Sequence, residues 1–411
     1  MNHTIRRIRS THRTAACFAA VLYVAGIATA GGQTLNDAVK EQLDLVVDDN
    51  FNAIPCFELL DGDTPDALGT GTPLFDICTR TPIQQGEPTS SGGGFAATPP
   101  SQPSSVESRL KKKEQEEIRR GFFMSLGYDN IDKKVSPFED GYDSDVARLA
   151  AGFDMLIGGT WILGIVGDGS RQSGDFLDGG DFETTTYGIT GFGSYLIGDA
   201  TSFDFYVGYA GQSNDRSRRA TYEDPNSENA DGSEPFRVEG MPDSDFDSGQ
   251  ILFGLNFSHD WNWDNVTVGP RLSYDYMQTD YDNYTENDPE NSGLALTFHD
   301  DSEDSSIFSA GIAGSVAIST SFGVVLIQQD LAYRYETGMD QRDIEVSFAL
   351  DQRGKRFTYQ TDEPDRDFLQ YNFATRFLLA NDWEWMLQYT GIASHRYLSR
   401  NAVVLGFRKG F

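Results

Sequence analysis

Long apolar runs, basic residues and cysteine are all scarce in this sequence of 411 residues. After residue 30, no stretch reaches the ~18 apolar residues that a transmembrane helix needs, which excludes a helical membrane protein. Lysine and arginine number 32 against 63 acidic residues, giving a net charge of −31. Nucleic-acid binding needs a basic surface, so it is excluded as well. Aromatic residues make up 12% of the chain, too many for a disordered acidic polymer.

The first 30 residues have the pattern of a secretory signal peptide. Four arginines precede an apolar run at 15–27, and Ala28-Thr29-Ala30 supplies a cleavage site. Removing these four positive charges takes the net charge from −31 to about −35. The remaining cysteines, Cys56 and Cys78, are an even pair in an exported chain, which favours a disulfide over two free thiols.

Three short segments follow the signal peptide. Residues 31–80 form a small N-terminal region that contains the cysteine pair, and residues 81–103 form a Pro/Gly/Ser-rich linker. Residues 104–120 are predicted to be a helix, because Ser104 and Glu107 match a capping box and helix-forming residues follow. This helix has almost no apolar face, so it is expected in solvent or in a polar cavity.

From residue 119 onward, apolar and polar residues alternate, which predicts β-strands. Each segment is long enough for the ~9–11 residues of a tilted transmembrane strand, with apolar side chains on one face and small or charged ones on the other. The predicted fold is therefore all-β, a transmembrane antiparallel barrel of 12 strands over residues 119–411, with the helix in its lumen. The predicted strands are 119–130, 144–157, 160–169, 183–197, 202–214, 247–259, 264–279, 305–318, 322–337, 366–380, 383–397 and 400–411.

The connections between the predicted strands alternate strictly between short and long. Tight turns alternate with long acidic loops at 215–246, 280–304 and 338–365, as expected for short periplasmic turns and long external loops. Tryptophans lie beside the short turns, where an interfacial aromatic girdle is expected. They are Trp161, Trp261, Trp263, Trp383 and Trp385.

The last eleven residues read as one strand that ends on an aromatic residue. Phe407 and Phe411 lie on the same face of this alternating strand. In a barrel such a strand closes the cylinder and leaves no unpaired edge. Taken alone, the segment also fits an edge strand of a soluble sheet, and the rest of the chain favours the barrel.

Residues 119–411 resemble the translocator domain of autotransporters, the type V secretion systems. The resemblance implies a pore plugged by the helix, which carries the end of an exported passenger. It also implies a last strand, with Phe407 and Phe411, that the barrel-assembly machinery reads. It is carried by the polar helix, the C-terminal strand and the motifs Gly121-Phe122-Phe123, Gly141-Tyr142-Asp143-Ser144-Asp145, Ala151-Gly152-Phe153-Asp154, Leu163-Gly164-Ile165-Val166-Gly167, Tyr187-Gly188-Ile189-Thr190-Gly191-Phe192-Gly193-Ser194-Tyr195 and Asp204-Phe205-Tyr206-Val207-Gly208-Tyr209.

Three features depart from the family's pattern. Lys409 stands where the last strand usually has an outward apolar or aromatic residue. The helix at 104–120 contains no asparagine, so asparagine-dependent self-cleavage has no counterpart. The candidate passenger is tiny and lacks a long repetitive β-helix.

Basic residues of the helix and acidic residues of the predicted lumen indicate how a plug is held. We predict that inward carboxylates bind the helix, because charges in a narrow lumen are weakly screened. The alternative is that inward arginines bind these acids and the helix stays in the periplasm; those arginines are Arg148, Arg271, Arg334 and Arg376. The helix residues are Arg109, Lys111, Lys112, Lys113, Arg119 and Arg120, and the lumen acids are Asp154, Asp204, Asp275, Asp330 and Glu384.

No enzymatic activity, cofactor or metal site is predicted. His299, Asp300 and His395 fall at external positions where some barrel enzymes have catalytic groups, but no hydrolase motif surrounds them. The clustered loop carboxylates lack the spacing of calcium sites and are interpreted as a solvated acidic surface.

These patterns predict an outer-membrane protein of a Gram-negative bacterium that anchors, and translocates or displays, a short N-terminal passenger. The alternative is a stand-alone surface barrel, adhesin-like or a small pore, that acts through its long acidic loops. The expected partners are outer-membrane lipid, lipopolysaccharide, the barrel-assembly machinery and periplasmic chaperones, and the expected state is a monomer.

Overall fold

The structure is a computed structural model. It describes residues 119–410, apart from 137–138, 159, 199, 224–236, 264, 338–341, 352–353, 362–364 and 380–382. The predicted signal peptide, cysteine pair, linker and helix up to residue 118 lie outside the described residues, as does Phe411. Within the described ranges, no helix is long and apolar enough to cross a membrane.

The described residues form long and short β-strands, which are numbered here in chain order. They are β1 (Arg119–Lys133), β2 (Tyr142–Ile157), β3 (Trp161–Phe176), β4 (Asp181–Ile197), β5 (Thr201–Ser217), β6 (Ala220–Glu223), β7 (Arg237–Gly240), β8 (Asp243–His259), β9 (Trp261–Trp263), β10 (Val266–Tyr281), β11 (Tyr284–Thr285), β12 (Leu296–Phe298), β13 (Asp301–Thr320), β14 (Gly323–Thr337), β15 (Asp343–Phe348), β16 (Arg356–Gln360), β17 (Asp367–Leu379), β18 (Trp383–Ala393) and β19 (Leu398–Gly410).

Twelve of these strands form one closed antiparallel barrel. The order around it is β1-β2-β3-β4-β5-β8-β10-β13-β14-β17-β18-β19, and β19 pairs with β1 to close the sheet. The short strand β9 also pairs with β10. Closure gives every barrel strand two neighbours, so none has an unpaired edge. The predicted closing role of the C-terminal strand is thereby confirmed.

The wall alternates between apolar residues outside and polar residues inside, as predicted. On β2, the outward Leu149 and Phe153 are 49% and 57% exposed, whereas the inward Arg148 and Asp154 form ion pairs. Side chains of successive strand residues point to opposite faces, so each strand supplies both surfaces. The outer surface is therefore a continuous apolar band around a polar lumen.

All twelve predicted strands are present, but the prediction of strict short–long alternation is wrong. Two connections at the long-loop end, 177–180 and 394–397, have only four residues each. The strand β3 runs on to Phe176 because its polar residues find strand partners. Gln172 donates a hydrogen bond to Ser144 at 3.1 Å across the β2–β3 pair. Polar sequence at this end therefore belongs to the wall.

Most of the clustered loop carboxylates are exposed, in agreement with the predicted solvated acidic surface. The three long loops themselves, however, contain strands that were not predicted. They fold into a hairpin, β6–β7, and a four-stranded sheet with the order β11-β12-β15-β16. We call these six strands and the described residues of the loops that join them the cap. Its strands share one apolar core, in which Leu296 and Val346 are 0% exposed. The other buried core residues are Ala220, Tyr222, Val238, Leu294, Phe298, Ile344, Phe348, Phe357 and Tyr359.

Candidate functional site: the barrel lumen and its acidic residues

The inward faces of the strands enclose a cavity of about 460 Å³. Serine, asparagine, glutamine, aspartate and arginine side chains line most of it. These residue types follow from the alternation of the strands, because every second residue avoids lipid and points inward. The cavity is therefore lined mainly by polar and charged residues.

Three of the five predicted lumen acids are bound by arginines of the barrel itself. Asp154 accepts two hydrogen bonds from Arg408, at 2.6 and 2.9 Å. Asp275 accepts one from Arg334 at 2.9 Å, and Glu384 accepts one from Arg376 at 3.1 Å. For Asp275 and Glu384 this is the predicted alternative, in which Arg334 and Arg376 bind the acids. These three acids are structural parts of the wall.

The other two predicted acids, Asp204 and Asp330, have uncharged hydrogen-bond partners, which for Asp204 include Ser194. Asp204 accepts a hydrogen bond from Asn256 at 2.7 Å, and Asp330 accepts one from Asn372 at 3.2 Å. Within the described ranges, neither forms an ion pair, and both line the cavity. The nearby Arg271 is bound to another acid. These two carboxylates are therefore the ones best placed to receive a cation from within the lumen.

The predicted Arg148 and Arg271 bind acids that the sequence analysis did not single out. Arg148 donates to Asp129 at 2.9 Å, and Arg271 donates to Asp260 at 2.7 Å. Asp129 also binds Arg400 of the last strand. Its inward position follows from the alternation of β1, which was the available signal. Asp129 and Asp260 therefore neutralise three of the arginines that line the lumen, Arg148, Arg400 and Arg271.

An ion pair fastens the seam where the first and last strands meet. Arg408 on β19 reaches Asp154 on β2, although β1 lies between these strands. The route passes over Gly121, where a β-carbon would come within 2.6 Å of the Arg408 guanidinium. A glycine at this point of β1 lets one side chain span three strands.

The five predicted girdle tryptophans all lie exposed on the outer surface at the short-turn end, with exposures of 41% to 60%. Lys409 places its ammonium group over the Trp383 ring, 5.5 Å from the ring centre, a favourable cation–π geometry. Phe407 packs between Phe122 and Trp385, with ring centres 6.3 and 6.0 Å apart. The unusual lysine of the last strand therefore has a local partner.

Arg119 and Arg120 were predicted at the end of the helix, but they are the first residues of β1. Phe122, two residues after Arg120, packs against Phe153 of the outer surface. Because strand residues two apart share a face, Arg120 faces outward and does not hold a lumenal plug. Arg109 and Lys111 to Lys113 lie outside the described residues.

The histidines do not converge on one site. His299 lies against Ser347 of the cap, with 3.3 Å between Nε2 and the hydroxyl oxygen. His395 lies near Asp365, with 3.8 Å between Nδ1 and the carboxylate. His259 contacts Thr201 at the short-turn end. Across the part of the chain that the structure describes, no group of three or more His, Cys, Asp or Glu residues is arranged to hold a metal ion.

Comparison with known proteins agrees with this architecture. The family model described as "Autotransporter beta-domain" matches residues 122–390. No curated protein sequence matches the chain. The fold is similar to the translocator domain of the autotransporter NalP from Neisseria meningitidis, with 12% identity, a TM-score of 0.53 and coverage of 74% of this chain and 92% of that one.

A second similar structure is the beta domain of the Bordetella autotransporter BrkA. Its identity is 13% and its TM-score 0.50, and the match covers 71% of this chain and 99% of that one. At such identities the likeness shows the fold alone, while the family match covers more than half of the sequence. The chain belongs to the autotransporter beta-domain family, and its barrel lies in the outer membrane of a Gram-negative bacterium.

Proposed function

We propose that the barrel anchors the short N-terminal region of its own chain and translocates or displays it. The observation that carries this proposal is the pair of lumen carboxylates, Asp204 and Asp330, which lack an ion pair within the described ranges and face the cavity. A basic segment, Lys111 to Lys113, stands just before the first strand. Opposite charges in a narrow lumen are weakly screened and attract strongly.

In this proposal, the segment at 104–118 is a helix in the lumen and its lysines bind Asp204 and Asp330. The two acids belong to β5 and β14, on different parts of the wall, so together they hold a helix from two sides. The remaining lumen acids contribute less, because barrel arginines already neutralise them. The apolar band on the outer surface supports contacts of the barrel with outer-membrane lipid and lipopolysaccharide.

We also propose that the barrel is a monomer and that periplasmic chaperones and the barrel-assembly machinery insert it. Closure leaves no free strand edge for pairing with a second copy. Phe407, packed on the outer surface next to Trp385, is available at the short-turn end with the terminal Phe411 after it.

The location of the N-terminal region on intact cells tests the proposal. An epitope tag inserted after Gln33 is expected to be accessible to antibody from outside. A tag that becomes accessible only after the outer membrane is permeabilised would contradict display.

The two acids are tested by proteolysis of the full chain. We expect trypsin to cleave slowly after Lys111 to Lys113, and at least about tenfold faster in the Asp204→Asn, Asp330→Asn double variant, because the plug loses its charge partners. High salt is expected to have the same effect. The control is Glu183→Gln, which removes one carboxylate charge at a surface ion pair with Arg171. Equal cleavage rates in both variants would contradict binding by the lumen acids.

A stand-alone surface barrel is the second candidate function. The folding of the long loops into a cap with its own core favours it, since such a surface is well defined. In that case the tag after Gln33 stays in the periplasm, and the cap is the part of the chain presented to the outside.

A further inference from the structure

Inward-facing residues at the long-loop end of the barrel are buried, as are many of those deeper in the lumen. Seven neighbouring strands, β2 to β5 with β8, β10 and β13, each have a polar inward residue there that is only 3% to 9% exposed. The buried residues are Ser144, Gln172, Thr186, Gln212, Ser248, Thr279 and Ser305. Neighbouring atoms therefore cover the wall at these seven positions near the mouth of the lumen.

An apolar cluster adds to the occlusion on one side of the mouth. It joins inward residues of the first four strands and is separate from the core of the cap. Tyr142 packs edge-on against Phe182, with ring centres 5.2 Å apart, and Phe176 lies 5.1 Å from the same ring. Tightly packed apolar side chains exclude water from this part of the mouth.

The six connections at this end are linked to one another in a ring. Each is bound to the next by at least one hydrogen bond, and the ring includes both the short connections and the three long loops. Five links are Lys134 N to Tyr397 O at 2.8 Å, Leu177 N to Gly141 O at 2.9 Å, Arg219 N to Gly179 O at 3.2 Å, Ala349 N to Ala295 O at 2.9 Å, and Arg396 N to the Asp365 carboxylate. The sixth is the pair between Arg218 and Glu286.

The cap also brings together residues from well-separated parts of the wall. Tyr359 of β16 is 2% exposed. Burial raises its pKa, while the charge of Arg216 opposes the rise and the charge of Glu139 adds to it. These residues belong to the loop between β14 and β17, to the end of β5 and to the β1–β2 connection. At least two other barrel strands separate any two of these places along the wall. The cap therefore extends across the mouth.

The link between Arg218 and Glu286 is the most deeply buried ion pair of the cap. Arg218 donates two hydrogen bonds to the Glu286 carboxylate, at 2.6 and 2.7 Å, and a third to the carbonyl of Leu294 at 2.9 Å. The two side chains are only 4% and 3% exposed. The pair joins the β5–β8 loop to the β10–β13 loop. Loss of one partner leaves a buried charge without compensation, which strongly destabilises such a site.

We propose that the cap is a lid that closes the outer mouth of the lumen by itself, and that the lumen opens outward only when the long loops separate at the Arg218–Glu286 pair. The lid is independent of any plug, because every residue that builds it follows β1 in the chain. A passenger that leaves through the barrel must displace this folded structure. The lid thus controls release at the cell surface.

Chemical labelling of the full chain on intact cells tests the lid. The reporter is Ser144→Cys, an inward residue beneath the lid that is 3% exposed. A charged, membrane-impermeant maleimide is added from outside, and the chain without this substitution gives the background from its natural cysteines. We expect slow labelling of the reporter, and labelling at least about tenfold faster when Glu286→Gln is added.

A matched control lies in the same cap. Glu345→Gln makes the same chemical change at the ion pair with Arg356, whose side chains are 45% and 52% exposed, and it should leave labelling slow. The Arg218→Met, Glu286→Met double variant removes both charges together and should also label slowly, because no buried charge is left unpaired.

Folding of the barrel is checked by heat-modifiable migration on gels, which should be unchanged in every variant. Fast labelling of the reporter alone would show an open mouth and overturn the proposal. Equal labelling of the Glu286→Gln and Glu345→Gln variants would overturn the role of the buried pair. Neither result depends on where the N-terminal region lies, so the tag experiment can fail or succeed separately.

Discussion

The ion pair between Arg408 and Asp154 at the barrel seam can be tested by adding a single methyl group to the wall. Arg408 reaches Asp154 by crossing β1 above Gly121, and a β-carbon there would lie 2.6 Å from the nearer guanidinium nitrogen. Gly121→Ala should therefore push the Arg408 side chain away and break the pair. The backbone itself has no need of glycine at this position, so the whole effect depends on Arg408.

The side chains of Asp154 and Arg408 are 9% and 22% exposed. Separating such a pair leaves a largely buried carboxylate, which costs about 3 kcal/mol at the low end of measured values. At roughly 2 °C per kcal/mol for a domain of this size, the Tm of the barrel should fall by about 6 °C. The Arg408→Met variant should show a similar fall, since it also leaves Asp154 unpaired.

The assay is the fraction of folded, fast-migrating barrel on gels after heating in detergent to a series of temperatures. Gly121→Ala should have little effect once Arg408→Met is present, so the two substitutions are not additive. Gly127→Ala is the control, because it adds a methyl group on the same strand at an ordinary contact distance of 3.5 Å. If Gly121→Ala lowers the Tm equally with and without Arg408, the ion pair is not the reason for the glycine.

Three further predictions concern the surface and the termini. Burial lowers the pKa of His395 while Asp365 opposes this, and its Nδ1 accepts the Leu398 amide at 3.0 Å. The stability that the neutral His395 imidazole gives the folded chain is present above its unfolded pKa near 6.5. It is lost as the pH falls through the lower pKa of the folded state. Hydrogen exchange of that amide, corrected for its intrinsic rate, should therefore rise towards pH 5, and no change would contradict the prediction. Deleting Phe411 should lower the amount of barrel in the outer membrane, measured by fractionation, and unchanged levels would argue against a terminal assembly signal. Mass spectrometry of unreduced protein should show a Cys56–Cys78 disulfide, and alkylation of both thiols would disprove it.

The barrel was predictable from the sequence because the alternation of apolar and polar residues identifies each strand locally. An outward Leu149 or Phe153 next to an inward Arg148 or Asp154 follows from the two solvents on either side of the wall. The number of strands and their order needed no more than this alternation. The pairing of the inward charges was only partly predictable, since it depends on which side chains meet across β1, β2 and β19.

The cap was missed because its core is divided among three loops. On β15, Ile344 and Val346 alternate with Glu345, which is a strand pattern, but acidic residues surround it and dominate the composition. The partners of this strand, β12 and β16, come from different parts of the chain or follow an irregular segment. Long-range pairing of short strands is not encoded locally, so only the structure reveals it.

Charge is distributed unequally around the lumen, so one wall is more negative than the wall opposite it. Among the charged residues that line the cavity, the wall from β5 to β14 has four acids and two arginines, whereas the opposite wall has two acids and three arginines. Such an arrangement produces an electric field across the channel, perpendicular to its axis. Such a field favours one orientation of a charged polypeptide about the barrel axis, with its basic face towards the wall from β5 to β14.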